Sequence, residues 1–118
     1  MLALIFLVSL NLLAAPDNQV QTKIDQLLKA VENSDCTFIR NGSDHTPKEA
    51  AGHMRRKYDH FKKQIKTPEQ FIEKCASKSE LSGKAYSVKL PDGKVVKCED
   101  WMNDQLKKIE ASSGSPAK

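Results

Sequence analysis

The chain has 118 residues, with 19 Lys and Arg against 15 Asp and Glu, which gives a formal net charge of +4. This length suits one small domain, and we expect a single folded unit in this sequence. The positive balance favours an acidic partner, such as an acidic protein or an anionic surface, although the same excess can serve solubility alone. One Trp, two Tyr and four Phe offer few rings for stacking on bases, which argues against nucleic acid as the partner.

The first fifteen residues carry no charge and form a mostly apolar run that ends in Ala14-Ala15. This pattern predicts a signal peptide over residues 1–15. A transmembrane helix needs about 20 apolar residues, and the polar Asp17 arrives before that length is reached. We therefore expect an exported mature chain, periplasmic or secreted, without a transmembrane segment.

The first half of the mature chain predicts two helices around a short strand. Apolar residues recur every three or four positions over residues 17–33, which predicts an amphipathic helix. Cys36–Arg40 resembles a short strand that ends at the turn pair Asn41-Gly42. Thr46-Pro47-Lys48-Glu49 matches a capping box with proline at the first helical position, and it predicts a helix to about Ile65.

The second half predicts two further helices around a hairpin. Thr67-Pro68-Glu69-Gln70 repeats the helix start signal and opens a shorter helix. After a mostly polar loop, residues 77–83, alternating apolar and polar residues flank Pro91-Asp92-Gly93 and predict a hairpin over 84–98. The last helix begins near Glu99, because negative charge suits a helix N-terminus.

Together these elements predict an α+β fold, a small single domain with about four helices packed on a short antiparallel sheet that contains a β-hairpin. We assign this domain to residues 16–111 and a flexible tail to residues 112–118.

Five separated motifs stand between about Cys36 and Leu106 in the order that one known family has them. They are Phe38-Ile39-Arg40-Asn41-Gly42, Ala50-x-x-His53-Met54-Arg55-x-Lys57, Glu69-Gln70-Phe71-Ile72, Ser82-Gly83-x-x-Tyr86, and Asp92-Gly93 with Trp101. In these motifs the chain resembles the exported bacterial proteins grouped as domain of unknown function 5329. The resemblance implies a small periplasmic or secreted protein of a Gram-negative bacterium, and it implies no particular activity.

Side chains near the start of the central helix are candidate ligands for zinc or copper. Glu49 and His53 lie one turn apart and could share one metal ion, with His45 or Asp44 from the preceding loop as a third ligand. Glu49 also has a structural explanation as the third residue of the capping box. His53 has one as well, because its ring could donate to a backbone carbonyl of the Asn41-Gly42 turn and fix how the strand meets the helix.

Three cysteines in an exported chain allow one disulfide and one remaining thiol. Cys75 faces the core side of its helix and Cys98 ends the hairpin, so we predict a Cys75–Cys98 disulfide, with Cys36–Cys98 as the alternative. Closing the first of these loops would stabilise the fold by roughly 3 kcal/mol in the chain-entropy model. If Cys98 stayed free, its place at a helix N-terminus would lower the pKa of its thiol and make it reactive.

Basic residues on the central helix are the candidate binding surface, which is otherwise explained as a solvated helix face. With Asn41 in the preceding turn, the predicted binding residues are Arg55, Arg56, Lys62 and Lys63. Because no catalytic signature is recognised, we predict a non-enzymatic binding or accessory protein of the bacterial envelope that acts on an acidic protein or an anionic surface. The alternatives are a periplasmic protein that binds zinc or copper through His53 and Glu49, and a thiol-dependent enzyme.

Overall fold

The computed structural model describes the backbone of residues 4–112 and the side chains of residues 18–112. Four helices and a four-stranded antiparallel sheet form one α+β unit, which confirms the predicted fold class. The elements in chain order are α1 (Leu4–Glu32), β1 (Thr37–Arg40), β2 (Ser43–His45), α2 (Pro47–Phe61), α3 (Pro68–Cys75), β3 (Ser87–Lys89), β4 (Val95–Lys97) and α4 (Cys98–Ser112). A single 3₁₀ turn, Lys62–Gln64, follows α2.

The N-terminal helix is longer than the sequence periodicity predicted. It begins at Leu4 instead of about residue 17, because the Leu- and Ala-rich segment before Pro16 also favours helix. Removal of residues 1–15 as a signal peptide stays a prediction, and the predicted tail lies outside the described residues beyond Ser112. No helix within the described part of the chain is both long and apolar enough to cross a membrane.

The sheet has the order β2-β1-β3-β4, with every neighbouring pair antiparallel. Phe38 in β1 pairs with Val88 in β3, and Val88 pairs in turn with Val96 in β4. Phe38 and Val88 are buried, so the middle of the sheet supplies its apolar contribution to the core.

Strand β2 is the element that the sequence analysis missed. Asn41 and Gly42 have φ angles of 51° and 79°, and a two-residue turn with both φ values positive sends the chain straight back along β1. The returning residues pair Ser43 with Arg40 and His45 with Phe38. Since Ser43–His45 are all polar, this strand lacks the apolar alternation by which a strand is recognised.

The four helices and the two central strands share one hydrophobic core. Helix α1 packs against α2, α3 and α4, and the Tyr58 hydroxyl on α2 donates a 2.7 Å hydrogen bond to Gln21 Oε1 on α1. Completely buried Phe71 packs edge-on against the Tyr58 ring, and burial of one such side chain contributes about 1.5–3 kcal/mol. The largest fully buried side chains are Phe71, Ile24, Leu27, Ile72, Met102, Val31 and Val88.

The predicted capping box sets the start of α2. The Glu49 amide donates to Thr46 Oγ1 at 3.1 Å, the Thr46 amide donates to Glu49 Oε1 at 3.0 Å, and Pro47 occupies the first helical position. With the first turn fixed in this way, Ala50, Met54 and Tyr58 face the core. Of the residues between them, His53 is directed toward the end of the sheet and Arg55 toward α1.

Candidate functional site

Four polar side chains meet where the end of β1 approaches α2. Arg40 is the last residue of β1, His53 and Lys57 lie one turn apart on α2, and Tyr86 directly precedes β3. The backbone of Tyr86 is held on both sides, because its amide donates to Ser77 O and its carbonyl accepts from the Cys98 amide, each at 2.9 Å. We call these four residues, Arg40, His53, Lys57 and Tyr86, the His53 cluster.

The imidazole of His53 is the centre of this cluster. Arg40 Nη1 lies 3.1 Å from both ring nitrogens of His53, and His53 Nε2 lies 3.3 Å from the Tyr86 hydroxyl. Lys57 Nζ donates to the same hydroxyl at 3.3 Å and sits 5.2 Å from the Tyr86 ring centroid. Because the guanidinium is positively charged, this close contact favours a neutral imidazole over a protonated one.

The electrostatics agree with a neutral His53. Removal from water lowers the pKa of His53 to about 4, and the positive charges of Arg40, Lys57 and Arg56 act in the same direction. Burial also lowers the pKa of Lys57, whose side chain is only 11% exposed. The cluster therefore concentrates positive charge, and this charge opposes protonation of the His53 imidazole.

The loop between α3 and β3 closes one side of the cluster. Ser82 Oγ donates to Asn41 Oδ1 at 2.6 Å, and Asn41 Nδ2 donates to buried Ser79 at 3.5 Å. Lys57 Nζ donates to the Lys78 carbonyl at 3.0 Å. Asn41, predicted to be a binding residue, thus anchors this loop, and its contact with a partner stays a prediction.

Two adjoining cavities, of about 250 and 470 Å³, share Arg40, His53, Arg56 and Tyr86 as lining residues. The smaller one, which we call the inner cavity, is also lined by Phe38, Ala50 and Met54, so apolar and cationic side chains line the same space. The larger, more open one, the outer cavity, extends toward Lys57, Glu80 and Leu81, and the Leu81 side chain is 99% exposed.

The three candidate metal ligands all line the inner cavity. His45 Nδ1 lies 3.6 Å from Glu49 Oε1, and Glu49 keeps its capping role as well. His53 contacts Arg40 and Tyr86 instead of Glu49. Among the described residues, no group of three or more His, Cys, Asp or Glu side chains is placed to hold a metal ion. Binding of zinc or copper stays a prediction.

The structural explanation of His53 was wrong in its partner. We expected the ring to donate to a backbone carbonyl of the Asn41-Gly42 turn. The ring instead meets the side chain of Arg40, the residue directly before that turn, and the hydroxyl of Tyr86. Strand β1 still contacts helix α2 at His53, but it does so through the charged side chain of Arg40.

The predicted basic residues have different surroundings in the fold, and their contact with a partner stays a prediction. Arg56 lines both cavities, whereas Arg55 points toward α1, where its Nη2 lies 3.5 Å from Asp25 Oδ1. Lys62 Nζ lies 5.7 Å from the Tyr58 ring centroid, and Lys63 is exposed. One step along an α-helix rotates the side chain by about 100°, which separates the two arginines.

The cysteines are three buried free thiols, Cys36, Cys75 and Cys98. The predicted Cys75–Cys98 disulfide is not formed in this structure, and neither is the alternative Cys36–Cys98 disulfide. Burial raises the pKa of Cys75 and of Cys98 to about 12. For Cys98 this is opposite to the lowering that a helix N-terminus would cause, because the loss of water around the thiolate dominates.

Arg40, Lys57 and Tyr86 are the site residues that the sequence analysis did not select. All three stand in the motifs of the family resemblance, and His53 and Lys57 have the spacing of one helical turn. That spacing together with the motifs could have indicated half of the cluster. The part contributed by Arg40 and Tyr86 depends on the pairing of β1 with β3.

The chain belongs to a family of unknown function, DUF5329, whose model matches residues 18–110. This match confirms the resemblance, and it includes the whole His53 cluster. Among curated proteins, the chain is similar to the uncharacterized protein YfeK of Salmonella typhimurium, with 42% identity over 67 residues. The aligned region covers 56% of this chain and 56% of that relative, so the chain spans about half the length of the relative. No solved structure matches.

Proposed function

We propose that this protein is a small, exported, non-enzymatic binding or accessory protein of the bacterial envelope that recognises an acidic partner at its two cavities. The observation that carries this proposal is the unbalanced positive charge around His53. Within residues 18–112, neither Arg40 nor Arg56 has a carboxylate within ion-pair distance, and Lys57 has one distant partner, Glu80 at 3.8 Å.

An acidic group at the shared rim of the cavities would relieve this imbalance. Arg40 is half-buried, and its contact with the neutral imidazole of His53 balances none of the guanidinium charge. At 4 Å and an effective dielectric constant of 20, one pair of opposite charges gains about 4 kcal/mol before desolvation is subtracted. Arg40 and Arg56 together therefore favour a partner that presents an anion.

The chemistry of the site supports binding more than catalysis. A pKa of about 4 makes the His53 imidazole a weak general base near neutral pH. The thiol of Cys98, which lines the inner cavity, stays protonated because burial raises its pKa to about 12. A thiol nucleophile needs a lowered pKa or an adjacent base to form the thiolate.

A crosslinked pull-down with the tagged full chain tests the proposal. Envelope and secreted fractions are captured with the native protein, with Arg40→Gln/Arg56→Gln, and with Lys63→Gln/Lys66→Gln. The last variant removes the same charge from exposed side chains outside both cavities.

We expect one partner at near-stoichiometric yield with the native protein and with the Lys63/Lys66 control, and its loss with the Arg40/Arg56 variant. Equal recovery with all three proteins would show that the cavities do not recognise the partner. Loss with both variants would show that total charge, and not this site, controls capture.

A further inference from the structure

The inner cavity combines two kinds of surface in one small space. Phe38, Ala50 and Met54 are buried apolar residues of its lining, and Arg40 and Arg56 add two cations to the same lining. Its volume is about 250 Å³, and a cavity of roughly 150 Å³ is enough for benzene. The inner cavity therefore has room for a short apolar group and one small anionic group.

We infer that the inner cavity binds a carboxylate joined to a short apolar group, with the carboxylate at Arg40 and Arg56 and the apolar group against Phe38, Ala50 and Met54. This inference deepens the proposed function and rests on it, because it states which chemical group of the acidic partner enters the protein. Two sources carry this chemistry, a free monocarboxylic acid and the C-terminal residue of a peptide with an apolar side chain.

The arrangement of charge favours a singly charged carboxylate over anions with several negative charges. The planar guanidinium of Arg matches the two oxygens of a carboxylate, so both arginines suit this group. Glu49 lines the same cavity and would repel a ligand with several negative charges. The buried apolar side chains add a surface that a bare inorganic anion would leave uncovered.

An independent observation at the same cavity is an unsatisfied polar atom. Nε2 of His45, which lines the cavity, is buried and has no hydrogen-bond partner among the residues that the structure describes. Native proteins rarely leave buried polar atoms unpaired, and such exceptions call for a ligand or a water molecule.

The state of His45 also distinguishes the two sources. Its Nδ1 lies 3.6 Å from the Glu49 carboxylate, so a neutral imidazole with its proton on that side would present Nε2 to the cavity as an acceptor. The C-terminal residue of a peptide offers an amide N–H to this acceptor, whereas a free carboxylate offers no donor. We therefore expect the peptide to bind more tightly than the free acid.

Titration of the ¹⁵N-labelled protein, followed by amide NMR shifts, tests the inference. The ligands are hexanoate, hexan-1-ol as the uncharged control of equal length, and a tetrapeptide ending in Leu with either a free or an amidated C-terminus. We expect saturable shifts at the end of β1 and the start of α2 for both acids. The alcohol and the amidated peptide should bind at least about tenfold more weakly, because each lacks the charge-assisted hydrogen bonds.

Two variants connect the binding to the cavity. Arg56→Gln, at an exposed side chain on the rim, should weaken binding of both acids about tenfold. Lys66→Gln, at an exposed side chain outside both cavities, should leave their binding unchanged. Equal affinity for hexanoate and hexan-1-ol, or unchanged affinity in Arg56→Gln, would overturn the inference. Binding of the free peptide but not of hexanoate would support it with the C-terminus as the source, and the reverse result would support it with a free acid.

The outcome is separable from that of the pull-down. If neither acid binds while a partner is captured by the native protein and lost with Arg40→Gln/Arg56→Gln, the carboxylate inference is wrong and the proposed function stands. If both acids bind but no partner is captured, the carboxylate site is supported and the proposed recognition of an envelope partner is wrong.

Discussion

The two sides of helix α2 that carry positive charge differ in what surrounds that charge. Arg55 faces α1, where the carboxylate of Asp25 lies 3.5 Å away. Arg56, the next residue, faces the cavities, where it stands with Arg40 and Lys57 around a neutral His53. The charge toward α1 is balanced within the fold and the charge toward the cavities is not. Position on the helix, and not the number of basic residues, therefore indicates where an acidic partner would bind.

The accessibility of the cavity side can be tested through its thiol. A pKa of about 12 leaves about three thousandfold less thiolate at neutral pH than the usual Cys pKa of roughly 8.5. Because Cys98 is also fully buried, we expect maleimide labelling to be at least about a hundredfold slower in the native protein than in urea.

Counting the labelled thiols by mass spectrometry gives a second result from the same experiment. Three labels in urea without reductant correspond to the three free thiols of the structure. A single label that becomes three after reduction would establish a disulfide, and peptide mapping would show whether it joins Cys75 to Cys98 as the sequence predicted. Rapid labelling of the native protein would contradict the burial of Cys98 in the fold.

The neutral imidazole on the cavity side predicts a loss of stability in acid. The pKa of His53 is about 4 in the fold and about 6.5 in the unfolded chain. Since the unfolded state binds the proton first, stability is complete above pH 6.5 and falls as the pH drops toward 4. The charged and titratable groups that face His53 are Arg40, Lys57, Arg56, His45 and Tyr86.

We expect this loss to reach about 1–2 kcal/mol at pH 4.5, after allowing for solvent screening of a partly exposed group. Urea unfolding of the native protein and of His53→Gln between pH 7 and pH 4.5 measures it as the difference between their pH dependences. His60→Gln is the control, because His60 is an exposed histidine on the same helix. The same pH dependence in native protein and His53→Gln would show that protonation of His53 does not oppose folding.

A substitution of Glu49, the one carboxylate among the described residues that line the inner cavity, distinguishes the carboxylate inference from the metal hypothesis. Glu49→Gln keeps a side chain that can complete the capping box, so the start of α2 should persist. It removes a negative charge from the cavity wall, and we expect hexanoate to bind about two- to fivefold more tightly. If Glu49 is instead a ligand of zinc or copper, calorimetry should show that Glu49→Gln has lost affinity for the metal. Its affinity for hexanoate should then equal that of the native protein.

How far the sequence predicted each region depends on whether its interactions are local. The start of α2 was predicted correctly because Thr46 and Glu49 contact each other within one turn. The strand β2 was missed because its polar residues are ordered by a turn and by pairing with β1. A pattern of apolar residues contains neither kind of information.

The candidate site shows the same distinction. His53 was selected as a site residue from its helix, and the partners that define its environment come from two other segments of the chain. Arg40 and Tyr86 reach it through the pairing of β1 with β3. Arg55 and Arg56 were assigned to one surface because both are basic, although a step of about 100° places them in different environments. The sequence therefore predicted that α2 carries positive charge, but it did not predict which of these charges lie next to a carboxylate in the fold.

The smallest expected effect belongs to the balanced side of α2. Arg55 and Asp25 are each about half exposed, at 51% and 50% of their side chains, and such ion pairs contribute about 0.2–1 kcal/mol. Arg55→Gln should therefore lower the free energy of unfolding by less than about 1 kcal/mol and leave the affinity for hexanoate unchanged. Arg56→Gln, which removes the same charge from the next position, should show the opposite pattern, with little loss of stability and weaker binding. If Arg55→Gln weakened hexanoate as much as Arg56→Gln does, charge anywhere on the helix would suffice, and the contrast between its two sides would carry no functional meaning.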